Sequence, residues 1–199
     1  MADCVDFYLI RHGETTSNQE RRYIGWRDEP LSDQGRRQIN LLCRKLPPFG
    51  RLFSSDLTRC TETAGKVDDR FQVDRALREY HFGDFDGKRY AELNKNSEYQ
   101  CWLNDMENVT PPNGESFSTF RSRVLKFMGR ILDCLGQDEQ MPVGIVTHGG
   151  VIRTLLQYFS KQTNSMWEWS IDPGEAYHLK LIKEGDEWIL LQAERITAS

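Results

Sequence analysis

The chain has no long apolar run, no paired-cysteine motif and no basic tract, and each absence removes a class of function. None of its hydrophobic stretches approaches the length of a bilayer span, and Met1-Ala2-Asp3-Cys4 has neither the basic start nor the apolar core of a signal peptide. The expected location is the cytoplasm. Five cysteines, Cys4, Cys43, Cys60, Cys101 and Cys134, are scattered without CxxC spacing, and the odd count argues against a disulfide framework. Reduced thiols on helices or in the core are expected. No set of zinc ligands is present, so neither a metal nor a cofactor is expected. The formal charge of −4 comes without a cationic stripe, which speaks against nucleic acid or an anionic membrane as partner. Internal repeats, linkers and low-complexity segments are also lacking.

What is present is an ordinary globular composition, 38% hydrophobic and 28% charged over 199 residues, which suits one domain spanning 1–199. Val5 to Ile10, broken by Asp6, has the β-branched and aromatic content of a buried strand, and it stops at Arg11-His12-Gly13-Glu14. Val143 to Thr147 repeats the pattern and runs into His148-Gly149-Gly150. If these strands are parallel neighbours, two imidazoles meet at their carboxyl ends, where open α/β sheets place ligands. Between them, Thr15 to Pro30 shows no clean period and reads as a functional loop. Ser32 is the expected cap of a helix whose apolar face is Ile39, Leu42 and Leu46, ending at Pro47-Pro48.

Arg51 to Ser54 reads as a short strand, and Leu57 to Val67 as a helix capped by Ser55 or Asp56. Phe71 to Val73 and Leu77 to Tyr80 are further strand candidates. Short helices fit Tyr90 to Leu93 and Tyr99 to Met106, and Ser116 to Leu135 is the longest amphipathic pattern. Its stripe of Phe117, Phe120, Val124, Phe127, Met128, Ile131 and Leu135 is most simply core packing. An apolar helix over Val151 to Phe159 and a hairpin around Glu184-Gly185-Asp186 complete the chain. Strands alternating with helices indicate an α/β three-layer sandwich: a mostly parallel central sheet, an antiparallel edge, and helices on both faces.

The chemistry concentrates on a few side chains. Arg11 at the strand end and Arg59 one turn into the second helix offer paired donors suited to phosphate oxygens, with a helix N-terminus adding backbone donors. His81 and His178 read first as structural, whereas His12 and His148 each precede a glycine that allows close backbone approach to a ligand. Imidazole can attack phosphorus when cations hold the equatorial oxygens. A proton donor for the leaving oxygen is then required. Glu79 is favoured because it lies at a strand end, with Asp84, Asp86 and Glu115 as rivals in nearby turns.

Arg11-His-Gly-Glu14, the block Ser54-Ser-Asp-Leu-Thr-Arg59-Cys-Thr-Glu-Thr-Ala64, Leu77-Arg-Glu79 and Thr147-His-Gly-Gly150 together resemble the successive motifs of the histidine phosphatase superfamily, in its phosphoglycerate mutase-like branch. The resemblance runs almost the full length. It implies a phosphoacceptor at His12, a phosphate pocket completed by Arg11, Arg59 and His148 with Gly149, a proton donor at Glu79, and assistance from Asn18. Ile24, before Gly25, departs from the small hydroxyl residue that many members carry, so a substrate contact there falls to the Gly25 backbone.

Phe82-Gly-Asp-Phe-Asp-Gly87 is similar to a segment of the small phosphatases, and the longer insert of the mutases is lacking. Trp102 to Phe117 is similar to the matching region of alpha-ribazole phosphatases and of several broad-specificity phosphatases. The expected activity is therefore metal-independent hydrolysis of a small phosphomonoester, with alpha-ribazole phosphate as a candidate. The loop from Arg21 to Trp26, together with Trp102 and Met106, is expected to wall the pocket. Mutase activity and a phosphoester-binding module without catalysis are the alternatives. Oligomeric state is left open.

Overall fold

A computed structural model describes residues 4–135, 141–161 and 166–198. Strands β1 (Cys4–Arg11), β2 (Arg51–Ser54), β3 (Gln72–Val73), β4 (Val143–Thr147), β5 (Ala176–Glu184) and β6 (Glu187–Ile196) form one sheet in the order β3-β2-β4-β1-β5-β6. The β3–β2, β2–β4 and β4–β1 pairings are parallel, while β5 and β6 add an antiparallel edge. The expected α/β architecture is present.

Parallel strands have to be covered on both faces, and all five residues of β4 are buried. From β1, Phe7 and Leu9 enter one apolar cluster and Ile10 enters another. The first cluster is closed by Phe120, Val124 and Phe127 of α6 (Phe117–Asp133) and by Val151, Ile152 and Leu155 of α7 (Gly149–Ser160). The second is closed by Ile39 and Leu42 of α2 (Asp33–Leu42) and by Cys60 and Ala64 of α3 (Thr58–Val67). Truncating a ring such as Phe127 to Ala would destabilise the first core by roughly 3–5 kcal/mol. The stripe on α6 is therefore core, with Phe117 and Leu135 at its partly buried ends.

Register places the site. Arg11 lies opposite Thr147 across the β1–β4 pair, and the His12 amide donates to the Thr147 carbonyl at 3.0 Å. The next residue on each strand is therefore a histidine leaving the sheet beside its counterpart, as the sequence pattern predicts. Packing also requires a glycine at 13. A Cβ there would stand 2.7 Å from the Gly35 carbonyl oxygen, so its absence lets the strand end lie directly against α2.

Several local expectations are corrected. Thr15 to Pro30 is not wholly irregular: α1 (Thr16–Gln19) is nucleated by a capping box between Thr15 and Asn18. Neither Ser55 nor Asp56 caps α3. The cap comes from Asp28, whose carboxylate accepts from the Thr58 amide and hydroxyl, both at 2.7 Å, while Asp56 forks with Arg78. Leu77 to Tyr80 is not a strand. Asp74 accepts from the Ala76 amide and closes a 3-10 turn over Arg75–Leu77, and the carbonyls that follow are taken by an arginine rather than a ladder. Helix α4 covers Tyr90–Leu93 as expected, and α5 starts earlier than its pattern suggested, at Ser97–Asn104, because Asn96 caps it. Ser32 caps α2 as expected. No helix among the described residues is long and apolar enough to cross a membrane.

Candidate active site

The two strand ends bring the imidazoles of His12 and His148 edge to face, ring centroids 5.1 Å apart. His12 Nδ1 lies 2.7 Å from its neighbour's carbonyl, Gly13 O. A carbonyl only accepts, so the proton sits on Nδ1 and the lone pair on Nε2. Burial, followed by the Arg59 and Arg11 guanidiniums, holds His12 well below the ordinary histidine range. His148 is lowered by burial, then by Arg59, His12 and Arg11. Its Nε2 is 3.0 Å from Ser55 Oγ, with the Cys60 thiol beside the ring. Both rings are neutral at neutral pH, and His12 presents an unprotonated nitrogen.

Arg11 and Arg59 supply the positive charge. Arg59 is wholly buried, its Nη atoms donating to the Arg27 and Gly25 carbonyls at 2.9 and 2.7 Å. Arg11 donates to the Ile171 carbonyl at 2.7 Å, and burial lowers its pKa to about 10, so it stays a cation. Each keeps a buried Nε without a hydrogen-bond partner. Two unpaired buried guanidinium N–H groups, each costing about 1–3 kcal/mol, point to an anion that would satisfy them. The α3 N-terminus, expected to add backbone donors, is already occupied by Asp28. The one that opens on the site is that of α7, where His148 is the cap residue and makes no side-chain capping bond. Gly149 begins that helix beside Arg11.

Of the four candidate acids, Glu79 alone reaches α7. Its carboxylate accepts from the Gly150 amide at 3.0 Å and from the Tyr80 amide at 2.9 Å. A Cβ on Gly150 would stand 2.2 Å from Glu79 Oε1, so the second glycine of the pair is what admits the carboxylate. The rivals are committed elsewhere. Asp84 binds the Asn113 amide, Asp86 accepts from the Gly25 and Arg27 amides, and Glu115 pairs with Arg123.

The loop residues divide. Gly25 donates to Asp86 and accepts from Arg59, so its backbone fastens the loop and the arginine to each other. Asn18 Oδ1 accepts from the Thr15 amide and hydroxyl, and its Nδ2 makes no bond among the described residues. Ile24 is half-buried. His81 accepts from the Gly83 amide, and His178 pairs with Asp6, both structural roles as expected.

A cavity of about 340 Å³ adjoins Glu79 and Gly150. Trp102 and Met106 line it as expected, with Tyr80, Phe82, Phe117 and Phe120. The expected wall from Arg21 to Trp26 is not part of the lining. Tyr23 instead binds the Tyr99 hydroxyl at 2.6 Å, and Trp26 packs on His81 while its indole donates to the Glu79 carbonyl. Asp28 and Arg123 are site-building residues that sequence reasoning passed over, and neither carried a signal; Gly150 did, as the doubled glycine after His148, while Asp86, weighed there as an acid, serves instead to hold the loop backbone.

The family model described as histidine phosphatase superfamily (branch 1) matches residues 7–194. An adenosylcobalamin/alpha-ribazole phosphatase of Salmonella typhimurium is 32% identical over 176 residues, covering 84% of this chain and 86% of that protein. Phosphoglycerate mutase-like protein 4 of Arabidopsis thaliana is 34% identical over 168 residues, covering 78% and 71%. Among solved structures, the alpha-ribazole phosphatase of Shigella flexneri superposes with a TM-score of 0.81 at 27% identity, covering 98% of this chain and 96% of that one. With the motif residues gathered at the carboxyl ends of β1 and β4, the chain belongs to the histidine phosphatase superfamily, branch 1.

Proposed function

We propose that the protein is a metal-independent phosphomonoesterase working through a phosphohistidine at His12. The observation that carries this reading is the unprotonated His12 Nε2 set among two buried guanidiniums with unpaired Nε groups. The substrate phosphate lies between Arg11 and Arg59, with His148, the Asn18 amide and the α7 N-terminus as further donors. His12 Nε2 attacks phosphorus in line; the P–N bond forms as the ester P–O bond breaks, and the Glu79 carboxyl gives its proton to the leaving oxygen. The resulting Glu79 carboxylate takes a proton from water, whose oxygen attacks phosphorus, breaks the P–N bond and releases inorganic phosphate. Throughout, Nδ1–H remains on the Gly13 carbonyl, and the positive charge comes from the arginines.

The cavity beside Glu79 receives the leaving group. Its volume is within the usual range for a small-ligand pocket, and its aromatic walls favour a leaving group with a planar ring. Alpha-ribazole phosphate, the substrate in the names of two of the relatives, is of that kind and is our first candidate. A panel of alpha-ribazole phosphate, phosphoglycerates, sugar phosphates and nucleotides tests the substrate, and release of inorganic phosphate separates hydrolysis from mutase chemistry. Acid-labile phosphate should be trapped on His12 after quenching, and His12→Ala should abolish turnover of para-nitrophenyl phosphate. Near-normal turnover in that variant would refute the mechanism.

A further inference from the structure

Arg123, on α6, donates three hydrogen bonds to the segment that bears Glu79. Its Nη1 donates to the Ala76 and Arg78 carbonyls at 2.8 and 2.6 Å, and its Nη2 donates to the Glu79 carbonyl at 2.8 Å. The other edge of the guanidinium forks onto Glu115, Nε to Oε2 at 3.0 Å and Nη2 to Oε1 at 2.5 Å. Glu115 Oε1 also accepts from the His81 amide at 2.9 Å, and the Glu115 amide donates to the His81 carbonyl at 3.1 Å. Both side chains are largely shielded, at 18% and 11% exposure, so this pair is screened less than a surface salt bridge. Four backbone positions between 76 and 81 are thus gripped by one ion pair.

We propose that Arg123 and Glu115 are positioning residues for the general acid. The inference rests on Glu79 having the proton-donor role of the proposed function, and it gives the glutamate a fixed base. Segment 75–81 has no ladder of its own beyond one 3-10 turn, so without Arg123 the Ala76 and Arg78 carbonyls would face water or stay unpaired. With the Glu79 main chain held by Arg123 and by the Trp26 indole, and its carboxylate held by two amides, the side chain is left one direction of approach to the leaving oxygen. A planar, rigid fork is what this geometry needs: a lysine keeps the charge but cannot reach three carbonyls and a carboxylate together.

The test is the dependence of kcat/KM on leaving-group acidity, because that ratio reports the transfer to His12 and an acid matters only when the leaving oxygen is basic. In the parent, alkyl and dinitrophenyl phosphates should differ little. In Arg123→Lys and Glu115→Gln, the alkyl ester should lose about tenfold or more relative to the dinitrophenyl ester, approaching the pattern of Glu79→Gln. Arg123→Lys in the Glu79→Gln background should steepen nothing further. Lysine and glutamine keep polar bulk at these sites, and thermal melts check folding. A general structural role would depress both esters together, and parallel lines for parent and variants would overturn the clamp. If the parent forms no phospho-His12 even with dinitrophenyl phosphate, the phosphatase reading falls first and takes the clamp with it.

Discussion

Replacing Gly150 with alanine should separate activity from stability. The added Cβ would stand 2.2 Å from Glu79 Oε1 and 3.1 Å from its Cδ, and the third nearest atom is the other carboxylate oxygen, so the collision falls on this one side chain. Restoring an ordinary contact requires the carboxylate to move by about an ångström, which breaks the 3.0 Å bond from the Gly150 amide to Oε2. A misplacement of that size can lower catalysis on the order of 10²-fold. The backbone effect has the opposite sign. Gly150 lies in the first turn of α7, where alanine is roughly 0.5–1 kcal/mol better than glycine, so the fold should be as stable as the parent or slightly more so. The assay is kcat/KM on an alkyl phosphate alongside a thermal melt, in parent and Glu79→Gln backgrounds. In the second background Gly150→Ala should have almost no further effect on activity, since glutamine fills the same space but is no acid to be displaced. Activity within about threefold of the parent, or an undiminished loss without Glu79, would refute the reasoning.

Two further outcomes follow from the fold and the site. His12 and His148 are held neutral in the folded protein and protonate near 6.5 when unfolded, so the unfolded chain binds more protons below that value. Their contribution to stability is complete above 6.5 and is lost as pH falls below it toward their lowered folded values. Urea unfolding between neutral pH and pH of about 5 should show a slope that His12→Ala reduces by up to about 1.4 kcal/mol per pH unit; equal slopes would contradict the burial account. Asp28→Ala should remove the remote cap of α3, at about 0.5–2 kcal/mol, measured as a lowered urea midpoint with an unchanged slope. An unchanged midpoint would mean that water caps the helix equally well.

Where the controlling interactions are short in sequence, the chain is readable. The apolar run and ending of β1, the Ser32 cap and the α6 stripe each depend on neighbours within a turn or two, and all three stand in the structure. The histidine pair was readable because two distant strands carry the same local ending. Glu115 and Glu79 differ differently: both are glutamates in turn-rich surroundings, and only their partners distinguish a clamp from a proton donor. Arg123 lies eight residues from Glu115 and 44 to 47 from the carbonyls it binds. Asp28 caps a helix thirty residues away, so no cap rule applied near Ser55 could find it. The packing role of Gly13 was not legible because the backbone it approaches belongs to α2, more than twenty residues away.

The strand order has a consequence for how the protein is made. β4 lies between β1 and β2, and the other neighbour of β1 is β5, so neither partner of the first strand exists until more than two thirds of the chain has been synthesised. Of the strands in the first half, only β2 and β3 can pair with each other, through two residues on each side. A nascent chain that has emerged only through α6 therefore carries an apolar β1 with both edges unsatisfied, the kind of segment that pairs with other chains. β4 fills the centre of the sheet and brings His148 to His12 through the same pairing, so the site cannot assemble without covering one edge of β1.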